Sequence, residues 1–201
     1  MAIDSKVKID ELLANRWSPR VFDPSRQVTE EQIISICEAA RWAPSCSNQQ
    51  PYKYIVWNRN NNSKDFEKAF GTLDEGNQNW VKNCPVLVLA VVELNFNNGE
   101  INNWAEYDTG AASENICLQA TSLGLHAHQM AGFDTDKIKN IFNIPTGFKP
   151  IVMIALGYKS NDLTLVAEKY RKMELSERKR KPINENFFDS KWENDLIKIR
   201  D

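Results

Sequence analysis

Histidine and cysteine are scarce in this 201-residue chain, and neither is arranged for metal chemistry. The only two histidines are His126 and His128, which cannot complete a metal site without help from carboxylates. The four cysteines (Cys37, Cys46, Cys84, Cys117) are scattered and form no CxxC pair. That pattern suits reduced thiols better than a disulfide framework or a zinc site. Long apolar runs are missing too: the longest, Val86 to Val92, is far too short to cross a bilayer. The opening stretch MAIDSKVKIDELLANR is charged and has no apolar core of the secretory kind, so a cytoplasmic location is expected. Nor does one sign of charge dominate. With 25 Lys and Arg against 27 Asp and Glu the formal net charge is -2, so no basic field invites nucleic acid. There is no internal repeat and no evident linker.

What remains is an ordinary globular composition, 42% hydrophobic and 26% charged, long enough to bury a proper core as one domain. A first helix is expected from about Ser5 to Asn15. A second starts at Thr29, where Gln32 three residues on completes a capping box, and Pro44 closes it. Tyr52–Trp57 reads as a strand, and Val86–Val92 as a strand covered on both faces. The longest helix should run from about Ile101 to Leu123, ended by Gly124. It is rich in small residues (Ala105, Gly110, Ala111, Ala112, Ser113), which fits either an ordinary buried helix or one at the centre of a dimer. A strand near Leu125–Ala131, a helix near Thr135–Phe142 and a strand Ile151–Tyr158 follow. Strands and helices without a regular βαβ rhythm imply an α+β fold with a mixed sheet. After Lys159 the chain turns polar and basic, ending in a tail with Phe187, Phe188 and Trp192.

Four segments are chemically suggestive. In Arg16-Trp17-Ser18-Pro19-Arg20, two guanidinium groups flank a hydroxyl, a donor set suited to phosphate; a solvated helix end is the plainer alternative. Ala43-Pro44-Ser45-Cys46-Ser47-Asn48-Gln49-Gln50-Pro51-Tyr52 is a polar loop able to offer amides and hydroxyls to a heteroaromatic edge, or simply a stiff turn. Cys46 has no base nearby in sequence, so a nucleophile there is weakly supported. In His126-Ala127-His128-Gln129-Met130-Ala131-Gly132-Phe133, the glycine lets backbone come close to a flat ligand, or marks a bulge. Arg178-Lys179-Arg180-Lys181-Pro182 lies in a run of seven cations and three anions between Glu168 and Lys181. Such a run is usually a solvated face, or here the second half of an anion site.

Taken together and in this order, the segments resemble the nitroreductase family. The resemblance rests on Arg16-x-Ser-x-Arg20-x-Phe22 and Ala43-Pro-Ser-x-x-Asn-x-Gln-Pro-Tyr52 in the N-terminal half. Asn77-Gln78-Asn79-Trp80-Val81 before Pro85, and Leu123-Gly-Leu125 with Gly132-Phe-Asp134, carry it through the middle. Ala155-Leu-Gly157-Tyr158 and Arg178-x-Arg180-x-Pro182 carry it at the C-terminal end. The resemblance implies one FMN-binding domain over residues 1–201, forming an intertwined homodimer. A C-terminal extension from about 183 to 201 would pack on the partner subunit. It further implies that Arg16, Ser18 and Arg20 meet the FMN phosphate and ribityl chain, closed over by Arg178 and Arg180. Pro44, Ser45 and Asn48 would approach the ring from the partner, Asn77 would touch ring or ribityl, and Gln129, Met130, Ala131 and Gly132 would line its pyrimidine edge. Two departures stand out: Ala131, where several members carry an acidic residue, and Trp17, whose bulk would shape the pocket mouth.

The activity so implied is hydride transfer from NADH or NADPH through FMN to a small acceptor, a nitroaromatic or a quinone. Because the cofactor carries the chemistry, no dedicated acid or base is expected. Arg20, and secondarily the N–H groups near Gly132, are candidates to stabilise charge on the ring. Two rivals are a specialised relative (reductive dehalogenation or flavin breakdown) and a flavin-storing protein without turnover.

Overall fold

The computed structural model describes residues 7–196. Among the described residues it divides into two compact units, one of residues 9–175 and one formed by residues 7–8 together with 176–196. In the larger unit the order is α1 (Glu11–Asn15), α2 (Glu30–Arg41), β1 (Tyr52–Asn58), α3 (Ser63–Phe70), α4 (Glu75–Val81), β2 (Val86–Glu93), α5 (Ala105–Ser122), β3 (His126–Met130), α6 (Thr135–Phe142), β4 (Phe148–Gly157) and α7 (Glu168–Leu175).

The strands form one sheet in the order β1-β2-β4-β3, antiparallel at each of its three pairings. The class is α+β, as expected. A parallel strand of the kind a mixed sheet needs is not among the described residues. Strand β2 lies centrally, and all of it but Glu93 is buried, which is why it reads as an unbroken apolar run. Its side chains still alternate between two cores. Leu87, Leu89 and Val91 face a cluster with Trp57, Phe66, Trp80 and Ile138, from the side of α3, α4 and α6. Val86 and Val88 face Ile36 and Ala40 of α2 and Ala112, Ile116 and Ala120 of α5. The small residues of α5 thus let the helix lie close against the sheet.

Local chemistry accounts for most element ends. Thr29 Oγ1 accepts from Gln32 N–H while Gln32 Oε1 accepts from Thr29 N–H, the reciprocal cap expected from sequence. Two helix starts differ from expectation. The first helix begins at Glu11 rather than Ser5, because Asp10 Oδ1 accepts from Leu12 N–H at 2.8 Å and caps it there; Ser5 itself lies outside the described residues. Helix α5 begins at Ala105 rather than Ile101. Ile101 bridges to Asn95, Asn102 N–H donates to Leu94 O at 2.8 Å, and Asn102 Oδ1 takes Trp104 N–H at 3.1 Å. Strand β4 starts three residues before the expected Ile151. Pro150 is tolerated because the register with β2 slips between Ala90 and Val91, leaving Ile151 as an extra residue.

The smaller unit holds one helical turn, Ile183–Glu185, followed by bends in which Phe188 bridges to Asp195 and packs on Trp192 with ring centroids 4.9 Å apart. Phe187 and Trp192 are exposed. The last five residues of the expected extension, 197–201, lie outside the described residues.

Candidate functional site

The Arg16–Arg20 segment leaves α1 as an irregular stretch pinned at four points. Arg16 Nη1 donates to Ser18 Oγ at 3.1 Å, and Arg16 Nε lies 3.7 Å from Glu114 of α5. Trp17 Nε1–H donates to Glu174 Oε1 at 2.8 Å, and the Arg20 backbone N–H donates to Glu174 Oε2 at 2.9 Å. The carbonyl of Pro19 is met by His128 Nδ1 at 2.9 Å. A carbonyl only accepts, so the Nδ1–H tautomer of a neutral His128 is the one present. Burial pushes the His128 pKa down to about 4, against the bond to Pro19 O, which pulls it up. Its ring packs on Trp80 at 4.4 Å between centroids.

The His128 bond sets the Arg16–Arg20 segment beside β3, and Gln129 extends the contact: its Nε2 donates to Cys117 Sγ at 3.3 Å, one turn along α5 from Glu114. Burial raises the carboxyl pKa of Glu114, opposed by the nearby Arg16. Met130 is buried and Ala131 exposed. At Gly132 the backbone is crowded by protein. A Cβ there would sit 2.6 Å from Asn77 Nδ2 and 2.6 Å from Asp74 Oδ2. Asn77 Nδ2 donates to Gly132 O at 2.9 Å, and Asn77 Oδ1 accepts from Trp80 Nε1–H at 3.2 Å. Asn77 thus ties α4 to the end of β3. Among the described residues no acceptor meets the N–H of Gly132.

The polar loop after α2 is attached elsewhere on α5. Cys46 N–H donates to Oδ2 of the buried Asp108 at 3.0 Å, and Gln49 Oε1 accepts from Asn97 N–H at 3.3 Å. Ser45 Oγ accepts from Gln50 N–H at 2.9 Å, and Asn48 accepts from Gln50 Nε2 through both its oxygens. Ser47, Asn48 and Gln50 all have positive φ (49°, 54° and 51°), left-handed non-glycine residues on either side of the right-handed Gln49, in a loop held by these bonds. Pro44 and Asn48 are exposed, and Ser45 is half-buried. Arg178 and Arg180 belong to the smaller unit, where Arg178 is half-buried and Arg180, exposed, donates from Nη1 to Lys179 O at 2.9 Å.

The donor chemistry fits an anionic ligand. Ser18 accepts from Arg16 and so keeps its own hydrogen to donate, as does Ser45 beside Gln50. Two guanidinium groups come from the same five residues as Ser18, and an unengaged N–H lies at Gly132, just past the end of β3. Reading the sequence did not find the groups that hold this segment: Glu174, only 2% exposed, and Lys159, whose Nζ is 3.4 Å from Glu174 Oε1. Their partners are more than 150 positions away along the chain for Glu174, and no local pattern marks them. Among the described residues no helix is long and apolar enough to span a membrane, and no group of His, Cys, Asp or Glu gathers as a metal site.

Comparison with known proteins gives a consistent picture. A sequence profile described as "Nitroreductase family" matches residues 13–73 and 60–158. A putative NADH dehydrogenase/NAD(P)H nitroreductase of Methanothermobacter thermautotrophicus is 30% identical, over 79% of this chain and 81% of its own. The major NAD(P)H-flavin oxidoreductase of Aliivibrio fischeri is 25% identical, over 80% of this chain and 92% of its own. A crystal structure of an oxidoreductase containing FMN superposes with a TM-score of 0.88 at 33% identity, covering 94% of this chain and 96% of that one.

Proposed function

The chain belongs to the nitroreductase family, and from that premise we propose that it is an FMN-dependent oxidoreductase. It draws hydride from NADH or NADPH and passes it to a small acceptor, a nitroaromatic or a quinone. The observation that carries this reading is the contact between the Arg16–Arg20 segment and β3, made by His128 and Pro19. It brings a phosphate-type donor set beside a strand end with a free N–H. The likeness to an FMN-containing oxidoreductase at 33% identity supports the choice of cofactor.

FMN, when bound, would supply the hydride-accepting ring, and the protein's part is to hold and orient it. Arg16, Ser18 and Arg20 would hold the phosphate through their guanidinium and hydroxyl donors. Backbone at Ala131 and Gly132, with Gln129 and Met130 beside it, lines the pyrimidine edge, where N–H donors favour negative charge on the ring. Alanine at 131 offers no side-chain bond, so the Gly132 N–H carries that task. Asn77 acts by fixing the Gly132 carbonyl, and Trp17 by its bond to Glu174.

Pro44, Ser45 and Asn48 serve a second site, on the partner subunit's flavin. Helix α5 supports this division. Its anchors for the two segments, Asp108 and Glu114, are six residues apart, roughly 240° around the axis, so they face different directions. A homodimer also accounts for large apolar side chains left exposed on and near α2 and α5: Ile34 (61%), Trp42 (73%), Trp104 (58%) and Tyr107 (78%). The C-terminal extension, with exposed Phe187 and Trp192, packs on the partner in this reading.

The test is Arg20→Ala. A charge-assisted bond to phosphate contributes about 1.5–3 kcal/mol, so the FMN dissociation constant should rise at least about tenfold. Arg20→Lys should recover only part, because an ammonium cannot form the planar fork. Riboflavin, which lacks the phosphate, should bind wild type and Arg20→Ala alike. Unchanged FMN affinity, or an equal loss for riboflavin, would remove Arg20 from the phosphate site.

A further inference from the structure

We propose that Glu174 is the positioning residue of the phosphate-binding segment, fixing the backbone of Arg20 and the ring of Trp17 so that the Arg16, Ser18 and Arg20 donors converge. The inference rests on the phosphate reading above. Its basis is an unusual placement of charge. Glu174 sits near the end of α7 and is only 2% exposed. Its two oxygens take separate donors from one five-residue segment, Trp17 Nε1–H at 2.8 Å and Arg20 N–H at 2.9 Å. Lys159 Nζ stands 3.4 Å from Oε1 and offsets the charge.

Burying a carboxylate is costly, and an anion beside an anion-binding segment opposes phosphate electrostatically. Both drawbacks are tolerable only where geometry outweighs them. The geometry is specific: a carboxylate has two acceptor oxygens, and here each fixes a different part of the segment. The neighbouring bond from His128 to Pro19 O leaves the stretch little freedom to swing. Helix α7 is itself anchored one turn earlier, where Tyr170 donates its hydroxyl to Gly76 O at 2.5 Å. Glu174 touches no ligand in this account; it acts through the residues it holds.

The experiment measures FMN and riboflavin dissociation constants on the full chain, for wild type, Glu174→Asp, Glu174→Gln and Arg20→Ala. The readout is the ratio of the two affinities, which reports on the phosphate contact alone. Aspartate keeps the charge but is one methylene shorter and cannot reach both donors. The preference for FMN over riboflavin should therefore fall at least about fivefold in Glu174→Asp, roughly the worth of one ordinary hydrogen bond. Glutamine keeps the length but has one acceptor oxygen, so the preference should fall there too. If Glu174 were only a nearby anion, Glu174→Gln would raise the preference and Glu174→Asp would leave it unchanged; either result overturns the proposal. So does a lower melting temperature with an unchanged ratio, which would make Glu174 a purely structural group. If Arg20→Ala leaves the ratio intact, the phosphate reading has failed instead, and the proposal goes with it. Should Glu174→Asp not fold, Trp17→Phe removes one of the two donors while keeping a ring; a smaller fall is expected, and an unchanged ratio overturns the proposal.

Discussion

Two glycines make different demands on their surroundings, and substituting each by alanine separates them. At Gly132 an added Cβ would lie 2.6 Å from Asn77 Nδ2 and 2.6 Å from Asp74 Oδ2. Both are side-chain ends that can rotate away. The consequence is loss of the Asn77 bond to Gly132 O, now 2.9 Å long, worth about 0.5–1.5 kcal/mol. At Gly157 the added atom would lie 2.7 Å from Pro85 Cδ, 3.0 Å from Pro85 Cγ and 3.1 Å from Phe22 Cδ1. These belong to rings in the core, so relief requires backbone movement, costing about 1–3 kcal/mol as overpacking usually does. Neither glycine has a positive φ, so alanine returns part of this, about 0.4–1 kcal/mol, by stiffening the unfolded chain. Gly132→Ala should then be nearly neutral to about 1 kcal/mol less stable, and Gly157→Ala clearly the worse of the two. At ~2–4 °C per kcal/mol for a chain of this size, calorimetry resolves the order. The two should also differ in function: Gly132→Ala, which disturbs the end of β3, should weaken FMN binding beyond its effect on melting. A Gly157→Ala protein as stable as wild type, or a Gly132→Ala protein less stable than Gly157→Ala, would refute the reasoning.

Two further outcomes are expected. Burial pushes the folded-state pKa of His128 down to about 4, below its ordinary value of 6.5, so between these values the unfolded chain binds more protons. Its stabilising contribution is therefore complete above about pH 6.5 and is lost as pH falls through 4; chemical denaturation at several pH values should show a shallower acid-side slope in His128→Gln than in wild type. Burial pushes Cys84 up to about 12 and Cys117 to about 11, so a thiol reagent at neutral pH should modify neither until the protein unfolds, and rapid native labelling at either position would contradict their burial.

What was legible in the sequence followed the range of the interactions involved. The Thr29–Gln32 cap and the Val86–Val92 strand rest on neighbours or on a uniform environment, and both read directly. The amphipathic α3 escaped because its eight residues SKDFEKAF are half charged and its cap, Asn62, lies in an asparagine-rich loop. Helix α7 escaped for a similar reason, its apolar content being slight; it is held by Tyr170 and Glu174, whose partners lie in α4's first turn and in the segment after α1. The start of β4 at Phe148 rather than Ile151 depends on the slip in register that admits Pro150, which only the pairing with β2 reveals. At the candidate site, Arg16, Ser18 and Arg20 stood out in the sequence by donor type alone. Their supports did not. That Asn77 spends its amide on Gly132 and Trp80, and that three left-handed residues shape the loop after Ser45, are consequences of tertiary packing alone.

The central claim, that bound FMN relays hydride from a nicotinamide to an acceptor, is tested most directly by anaerobic mixing of the FMN-loaded protein with NADH and with NADPH. Flavin absorbance is followed until a quinone or nitroaromatic is added. The account expects the flavin to bleach with at least one nucleotide, to recover its colour when the acceptor arrives, and to repeat the cycle while nucleotide lasts. Flavin that stays oxidised with both nucleotides, in protein that nevertheless retains FMN, would contradict it.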